Sequence, residues 1–330
     1  MKRTIILGTA IWMATAAIQA QTGATAENAG AYKAFEHVDM AVNMGSTGIG
    51  IDFATPLNEF FRLRAGLEYM PQFEQAMHFG IEGVREDNGS WITTNFDNIA
   101  AKLESFTGYR ADDQVDMLGK PTFYNFKLLV DVFPFENKHW YFTAGFYLGN
   151  ARVAKAVNAT EDAPSLVAVG IYNNMYNKVE AGDPIYGDVY LSPDIENQIL
   201  NMGRLGVHVG EYSSDITDNE GNIIHAKGSP YLMEPDANGM VRCEIKVNRF
   251  KPYMGFGYQG RLSEKSDKWN IGFDCGALFW GGTPRVHTHD GTDIANDVEN
   301  IKGKVGRYVD VVQAFKVYPV ANLRISYRLF

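Results

Sequence analysis

Tyr318 to Phe330, YPVANLRISYRLF, is the stretch on which the reading of this chain turns. From Ala321 onward, Ala321, Leu323, Ile325, Tyr327 and Leu329 alternate with Asn322, Arg324, Ser326 and Arg328. A period of two sorts these residues onto the two faces of a strand, and a helix does not. Pro319 supplies no backbone donor, so it is expected at the strand's entrance. The polar face carries arginine rather than the mixture of a water-facing surface, and the run finishes on an aromatic residue. Together these features predict the closing strand of a membrane β-barrel, with its apolar face in lipid, its arginines inward and no unpaired edge in hydrocarbon. A soluble sandwich could contain one such strand, so the remaining strands must decide.

The alternation recurs. Val38, Met40, Val42 and Met44 oppose Asp39, Ala41 and Asn43; after a turn at Gly45-Ser46, Ile49, Ile51 and Phe53 oppose Gly48, Gly50 and Asp52. Phe61 to Tyr69, Thr122 to Phe133 and the run from His139 follow the same rule. Val241 to Tyr258 changes apolar parity beyond Asn248, next to Pro252, which predicts either a β-bulge inside one long strand or a tight turn between two, the bulge being preferred. Asn270 to Phe279 supplies the seventh strand and the terminal run the eighth. Links after strands two, four and six are short; those after three, five and seven are long, covering about 73–120, 153–239 and 282–313. Outer-membrane barrels show this alternation of short periplasmic turns and long outer loops.

The expected fold is therefore all-β: an eight-stranded antiparallel transmembrane barrel over 37–330. Its extracellular loops should hold short helices and a small hairpin. One helix is expected within Asn95 to Phe106 and another from Ser192-Pro193 to about Gly203, with a turn at Asp218 to Gly221.

The chain opens MKRTIILGTAIWMATAAIQAQ, a basic pair, an apolar run and a small residue before Gln21. That is the pattern of a secretory signal peptide over 1–20, followed by a periplasmic segment over 21–36. The apolar run falls short of the ~20 residues that a spanning helix needs. In the 330 residues, 33 glycines, 17 tyrosines and 20 phenylalanines favour β structure. A net charge of −9 argues against nucleic acid as a partner. Cys243 and Cys275 are read as small, lipid-facing residues rather than a bridge.

The inward positions collect charge. Asp39, Asp52, Glu68, Asp131, Glu244 and Asp274 face Arg62, Arg64, Lys127, Arg242, Lys246, Arg324 and Arg328. An eight-stranded barrel is just wide enough for its own side chains, so near-balanced charges predict an internal ion-pair network and a plugged interior rather than a pore. Asp52 is expected beside Arg62 and Arg64. On the outer face, Leu323, Ile325, Tyr327 and Leu329 with the terminal Phe330 form the expected membrane-assembly signal.

The segments MGSTGIGIDFATPLNEFFRLRAG, FKLLVDVFPF, RFKPYMGFGYQG, WNIGFDCGALFWGGTPRV and FKVYPVANLRISYRLF resemble, in that order, the small outer-membrane β-barrel proteins of Gram-negative bacteria, most of all Bacteroidetes members. The likeness covers the strands and not the two largest loops. It implies a porin-like barrel inserted by the outer-membrane assembly machinery. In the commonest form of the terminal signal the last aromatic sits in the apolar register. Here Leu329 holds that register and Phe330 lies one residue beyond.

Two local clusters have a chemical and a bland reading. His287-Thr288-His289-Asp290, with Asp293 and Asp297 following, carries metal-capable groups, but no local pattern closes a coordination shell, so a solvated acidic loop is expected. His208 with Ser213 or Ser214 and Asp215 has the residue types of a hydrolase without a motif to bind them together. The expected protein has no cofactor, metal or catalytic residue. It is a plugged outer-membrane barrel, in contact with membrane lipids and lipopolysaccharide, whose lobe presents a surface to an extracellular ligand or protein. A narrow solute channel and an outer-leaflet lipid-modifying enzyme are the alternatives.

Overall fold

The computed structural model describes residues 34–95, 100–109, 111–301 and 303–330. The expected signal peptide, most of 21–36 and the positions Phe96 and Ile99 lie outside the described residues.

Numbered in chain order, the barrel strands are β1 (Asp39–Gly45), β2 (Gly48–Pro56), β3 (Phe61–Tyr69), β8 (Tyr124–Val132), β9 (Trp140–Gly149), β16 (Phe250–Ser263), β17 (Ser266–Phe279) and β20 (Val317–Arg328). They form a closed antiparallel barrel in that order. The terminal strand closes it by pairing with β1, with Asp39 opposite Arg328 and Val42 opposite Ile325. Pro319 lies inside β20, opposite Ala277, and not at the strand's entrance. The β1 ladder has ended there: Ser46 Oγ donates to the Pro319 carbonyl at 3.1 Å. The missing N–H therefore falls on an unpaired edge, where proline is tolerated.

The three long links leave one end of the barrel and fold together as a head. One head sheet has the order β18 (Arg285–Thr288), β15 (Arg242–Lys246), β10 (Arg152–Asn158), β7 (Gln114–Pro121), β4 (Gln75–Gly80). A second joins β14 (Pro230–Met233), β11 (Arg204–Tyr212), β5 (Glu82–Asp87) and β6 (Ser90–Asn95), with β19 (Val298–Glu299) beside β11. The expected hairpin is present as β12 (Ile216–Thr217) and β13 (Ile223–His225). The helices are α1 (Ala100–Thr107), α2 (Ala163–Ala181), α3 (Pro193–Met202), α4 (Ile294–Asp297) and α5 (Gly303–Ala314). Leu103, Val115, Leu166, Tyr172, Ile199, Leu205 and Val309, drawn from all three links, share one buried core. Helix α2 contributes Leu166, Val169, Tyr172 and Tyr176, which recur at helical spacing on one face. Gly182, at φ 71°, ends it in the left-handed region that glycine adopts without a Cβ penalty.

The segment read as one bulged strand is two elements. Arg242 to Lys246 belongs to the head sheet, and the barrel strand begins only at Phe250. Arg242, Glu244 and Lys246 are therefore not barrel-interior residues. They form pairs on the head's surface, Arg242 with Asp236 at 2.6 Å, and Glu244 with Arg152 at 2.7 Å and Lys246 at 3.2 Å. The physical reason is an inversion of polarity. Cys243, Ile245 and Val247 pack in the head and the barrel mouth, while Lys251 and Tyr253, of the same odd parity, point into the bore. In water the inner face is apolar; in lipid the outer face is, so the apolar parity changes where the chain passes from one to the other. Cys243, expected to face lipid, accordingly packs against the head core, and both cysteines are free.

Strand pairs β7/β8, β9/β10, β15/β16 and β17/β18 run from barrel to head in the same neighbour order. Backbone hydrogen bonds bridge the junction, from Thr122 N to Val153 O at 2.9 Å and from Val247 N to Ala151 O at 2.8 Å. The head sheet is half of the barrel wall continued upward.

Candidate functional site

The bore and the head each bring polar side chains together. In the bore, Arg62 donates to Asp131 Oδ2 at 2.7 Å, and Arg64 donates to Asp131 Oδ1 at 3.0 Å. Arg64 also reaches Asp274 at 2.9 Å, and Thr143 Oγ1 donates to Asp131 at 2.8 Å. Tyr141 donates its hydroxyl proton to Asp274 at 2.8 Å and accepts from Arg324 at 2.9 Å. Higher up, Lys127 lies 2.9 Å from Asp52 and pairs with Glu68. At the lower rim Arg328 lies 3.7 Å from Asp39.

Asp52 does not meet its expected partners equally. Its near base is Lys127, Arg64 is 4.0 Å away, and Arg62 turns to Asp131 instead. Asp131 is 0% exposed and Arg64 2%, so these charges are held by each other rather than by water. Above them Phe123, Tyr147, Tyr253, Leu278, Trp280 and Val320 form a buried cluster across the mouth.

Lys251 is a bore residue that sequence reasoning missed. It is fully buried, and its ammonium donates to Asn125 Oδ1 at 3.1 Å and to the Asn150 carbonyl at 3.2 Å. The signal was present, since Lys251 opposes the outward Phe250, Met254 and Phe256.

The head holds a polar cleft of about 570 Å³ near Arg204, Tyr212, His225, Glu234 and Asp290. Burial works against the Arg204 charge, but the Glu234 carboxylate overrides it and holds the guanidinium above its ordinary pKa. The His225 ring stacks on Tyr212 at 4.8 Å and 10°. Burial, with Arg204 nearby, keeps the imidazole below its usual value. Burial pushes the Tyr212 phenol up to about 12, helped by Asp290. Asp290 accepts from Thr288 and from the Tyr231 hydroxyl, the latter at 2.9 Å. Burial alone would raise its carboxyl, yet these hydroxyls hold it below the usual range.

The two local clusters do not assemble. Asp290 is taken up by its hydrogen bonds, and His289 Nδ1 accepts from Arg242 N at 3.4 Å. Among the described residues no group of three or more His, Cys, Asp or Glu side chains is placed to hold a metal ion. Ser213 donates to the Asn296 carbonyl, Asp215 accepts from Lys227 N, and His208 lies 3.6 Å from Glu82.

The outer wall completes the geometry. Met40, Val42, Ile51, Leu67, Phe126, Phe142, Met254, Phe256, Ile271, Leu323 and Ile325 stand exposed around it. Aromatic side chains flank this band. Trp140 packs on Tyr258 at 5.1 Å and Trp269 on Tyr327 at 4.8 Å at the end nearest the termini, and Tyr69 pairs with Tyr124 at the other. Closed strands with an apolar belt between aromatic girdles solve the problem of crossing hydrocarbon without unpaired backbone. This is a barrel of the outer membrane. No helix among the described residues is long and apolar enough to cross a membrane.

No family model matches the chain, and no curated protein does. The solved structures to which the chain is similar at low identity include three outer-membrane proteins. Acinetobacter baumannii CarO2 is 14% identical over 90% of this chain and 99% of its own, with a TM-score of 0.38. CarO of the same species is 12% identical over 88% and 97%, also at 0.38. A major outer membrane protein from Thermus thermophilus is 13% identical over 89% and 98%, at 0.24.

Proposed function

We propose that the chain is a plugged barrel that anchors a non-catalytic head at the cell surface, where the head binds a ligand or partner. The observation that carries this reading is the bore itself: buried ion pairs link its walls, and an aromatic cluster lies over them. A water-filled channel would leave those charges hydrated. Topology supports a head outside the cell, since outer-membrane barrels keep their termini and short turns in the periplasm and the three long links leave the opposite end. The dispersal of His208, Ser213 and Asp215 onto separate partners favours binding over hydrolysis. Kinship with small Bacteroidetes barrels is part of the proposal and rests on the strand segments quoted above.

Planar-bilayer recording tests the plug. The purified barrel is expected to give no stable single-channel steps, and regular steps would replace the anchor by a channel. Protease treatment of intact cells should clip the head and spare the barrel strands.

A further inference from the structure

A second concavity lies in the head, between α5 and the sheet that continues the barrel wall, with a volume of about 340 Å³. Its floor is made by small residues side by side: Ala156 stands opposite Gly119 on one neighbouring strand and opposite Cys243 on the other. Its roof is Val305, Val309 and Val312 of α5. A helix packed on a sheet ordinarily fills the space between them with large side chains, because protein interiors are close-packed. Here Gly119, Ala156 and Cys243 stand side by side between larger residues such as Met77 and Ile245, and an apolar space is left. Apolar volume of this size is at the lower end of ligand pockets.

The space continues toward the membrane. Pro121, Ala154, Ile245 and Val312 line both it and a second one of about 200 Å³, bounded by Trp280, Phe315 and Tyr318 at the barrel mouth. The rim beside it is uneven. β20 pairs with β17 as far as Val317, whereas β1 ends at Gly45, opposite Asn322, so Val317 to Ala321 stand above the β1–β2 turn. Half-exposed Phe315 and Val317 continue the lipid-facing row of Leu323 and Ile325 up to that slot. An apolar channel whose lower end meets the lipid-facing wall fits one kind of occupant, a flexible hydrocarbon chain already present at that level.

We propose that this slot binds a single acyl chain of an outer-leaflet lipid. The proposal rests on the head lying outside the membrane and names a ligand class for it. Neither Cys243 nor any other residue needs to react; the chain is held by burial alone.

The test is photolabelling of the folded protein in nanodiscs of phosphatidylethanolamine and phosphatidylglycerol, with a trace of phospholipid carrying a diazirine at the end of one acyl chain. Labelled peptides are expected from the barrel wall, around Ile325, and from the slot, around Met77 or Val309. A Cβ on Gly119 would lie 3.2 Å from the Met77 terminal methyl, so Gly119→Leu puts its side chain into the slot. Gly119→Leu should lose the head label and keep the wall label, and Ala156→Leu should do the same if the first variant misfolds. Wall labelling with no head labelling in the unaltered protein overturns the slot and leaves the anchor standing. Absence of both overturns the membrane anchor itself. Head labelling that survives in both folded variants, or that appears with a diazirine fatty acid but never with the phospholipid, overturns the proposal.

Discussion

Arg64 and Asp274 join opposite walls of the barrel. Arg64 stands on β3 and Asp274 on β17, four places apart in the ring of eight, yet the guanidinium donates to both carboxylate oxygens at 2.9 and 3.0 Å. One arginine and one aspartate together therefore span the bore, and Tyr141 and Arg324 close around the same carboxylate.

Asp274→Ala removes the acceptor shared by Arg64, Arg324 and Tyr141, leaving Arg324 without a carboxylate partner and Arg64 with Asp131 in place of two close acids. Breaking a buried pair from one side typically costs ~3–5 kcal/mol. The urea midpoint of the folded barrel in detergent is expected to fall accordingly. An unchanged midpoint would mean that water already solvates these charges.

Gly66 faces the same network. A Cβ there would lie 2.1 Å from Asp52 Oδ1 and 2.6 Å from the Ile51 carbonyl. Gly66→Val is expected to lower the yield of heat-modifiable barrel sharply, read as the fraction of folded band on unheated gels. Gly80, which has only a distant neighbour at 3.9 Å, serves as the tolerant control.

Deleting residues 325–330 removes the pairing of β20 with the lower half of β1, including Ile325 to Val42 and Arg328 to Asp39. Two strand edges would then be open in lipid, where unpaired backbone is costly. The truncated chain is expected to vanish from the outer-membrane fraction on immunoblots. Normal levels would show that closure does not depend on this segment.

Burial pushes the Cys243 thiol up to about 12, so at pH 8 it is almost wholly the unreactive thiol. In a Cys275→Ala background, iodoacetamide is expected to modify the native protein far more slowly than the protein in denaturant. Equal rates measured by mass spectrometry would place Cys243 in water.

The barrel was legible because a period of two on a half-lipid surface leaves no freedom: a slip of one residue turns every side chain to the wrong solvent. Ala321 to Leu329 and Phe61 to Tyr69 carry that constraint over their whole lengths. The head was less legible. QAMHFG of β4 and EGVRED of β5 are strands whose alternation is weak, and although β5 forms a hairpin with β6, the pairing of β4 with β7 and of β5 with β11 joins distant parts of the chain. Helix α2 is readable from Leu166, Val169, Tyr172 and Tyr176, although the sequence expectation for its link covers only the helix from Ser192-Pro193 and the turn at Asp218 to Gly221. The parity change beyond Asn248 is legible, yet both lipid and water sort residues by two, and parity does not say which solvent applies. That ambiguity placed Arg242, Glu244 and Lys246 in the bore. Ion-pair partners were the least accessible, because a list of inward charges does not say that Asp52 turns to Lys127 while Arg62 turns to Asp131.

The unbroken passage of strands from membrane to head has a mechanical consequence. Flexible tethers would let a surface domain swivel; here the hydrogen bonds at Thr122, Val153 and Val247 continue the ladders across the boundary. A pull on the head loads those ladders along the strands, in shear, and tilts the barrel with it. The cleft near Arg204 thus keeps a fixed bearing on the barrel axis, and under the proposed function a partner docking there must arrive from one direction.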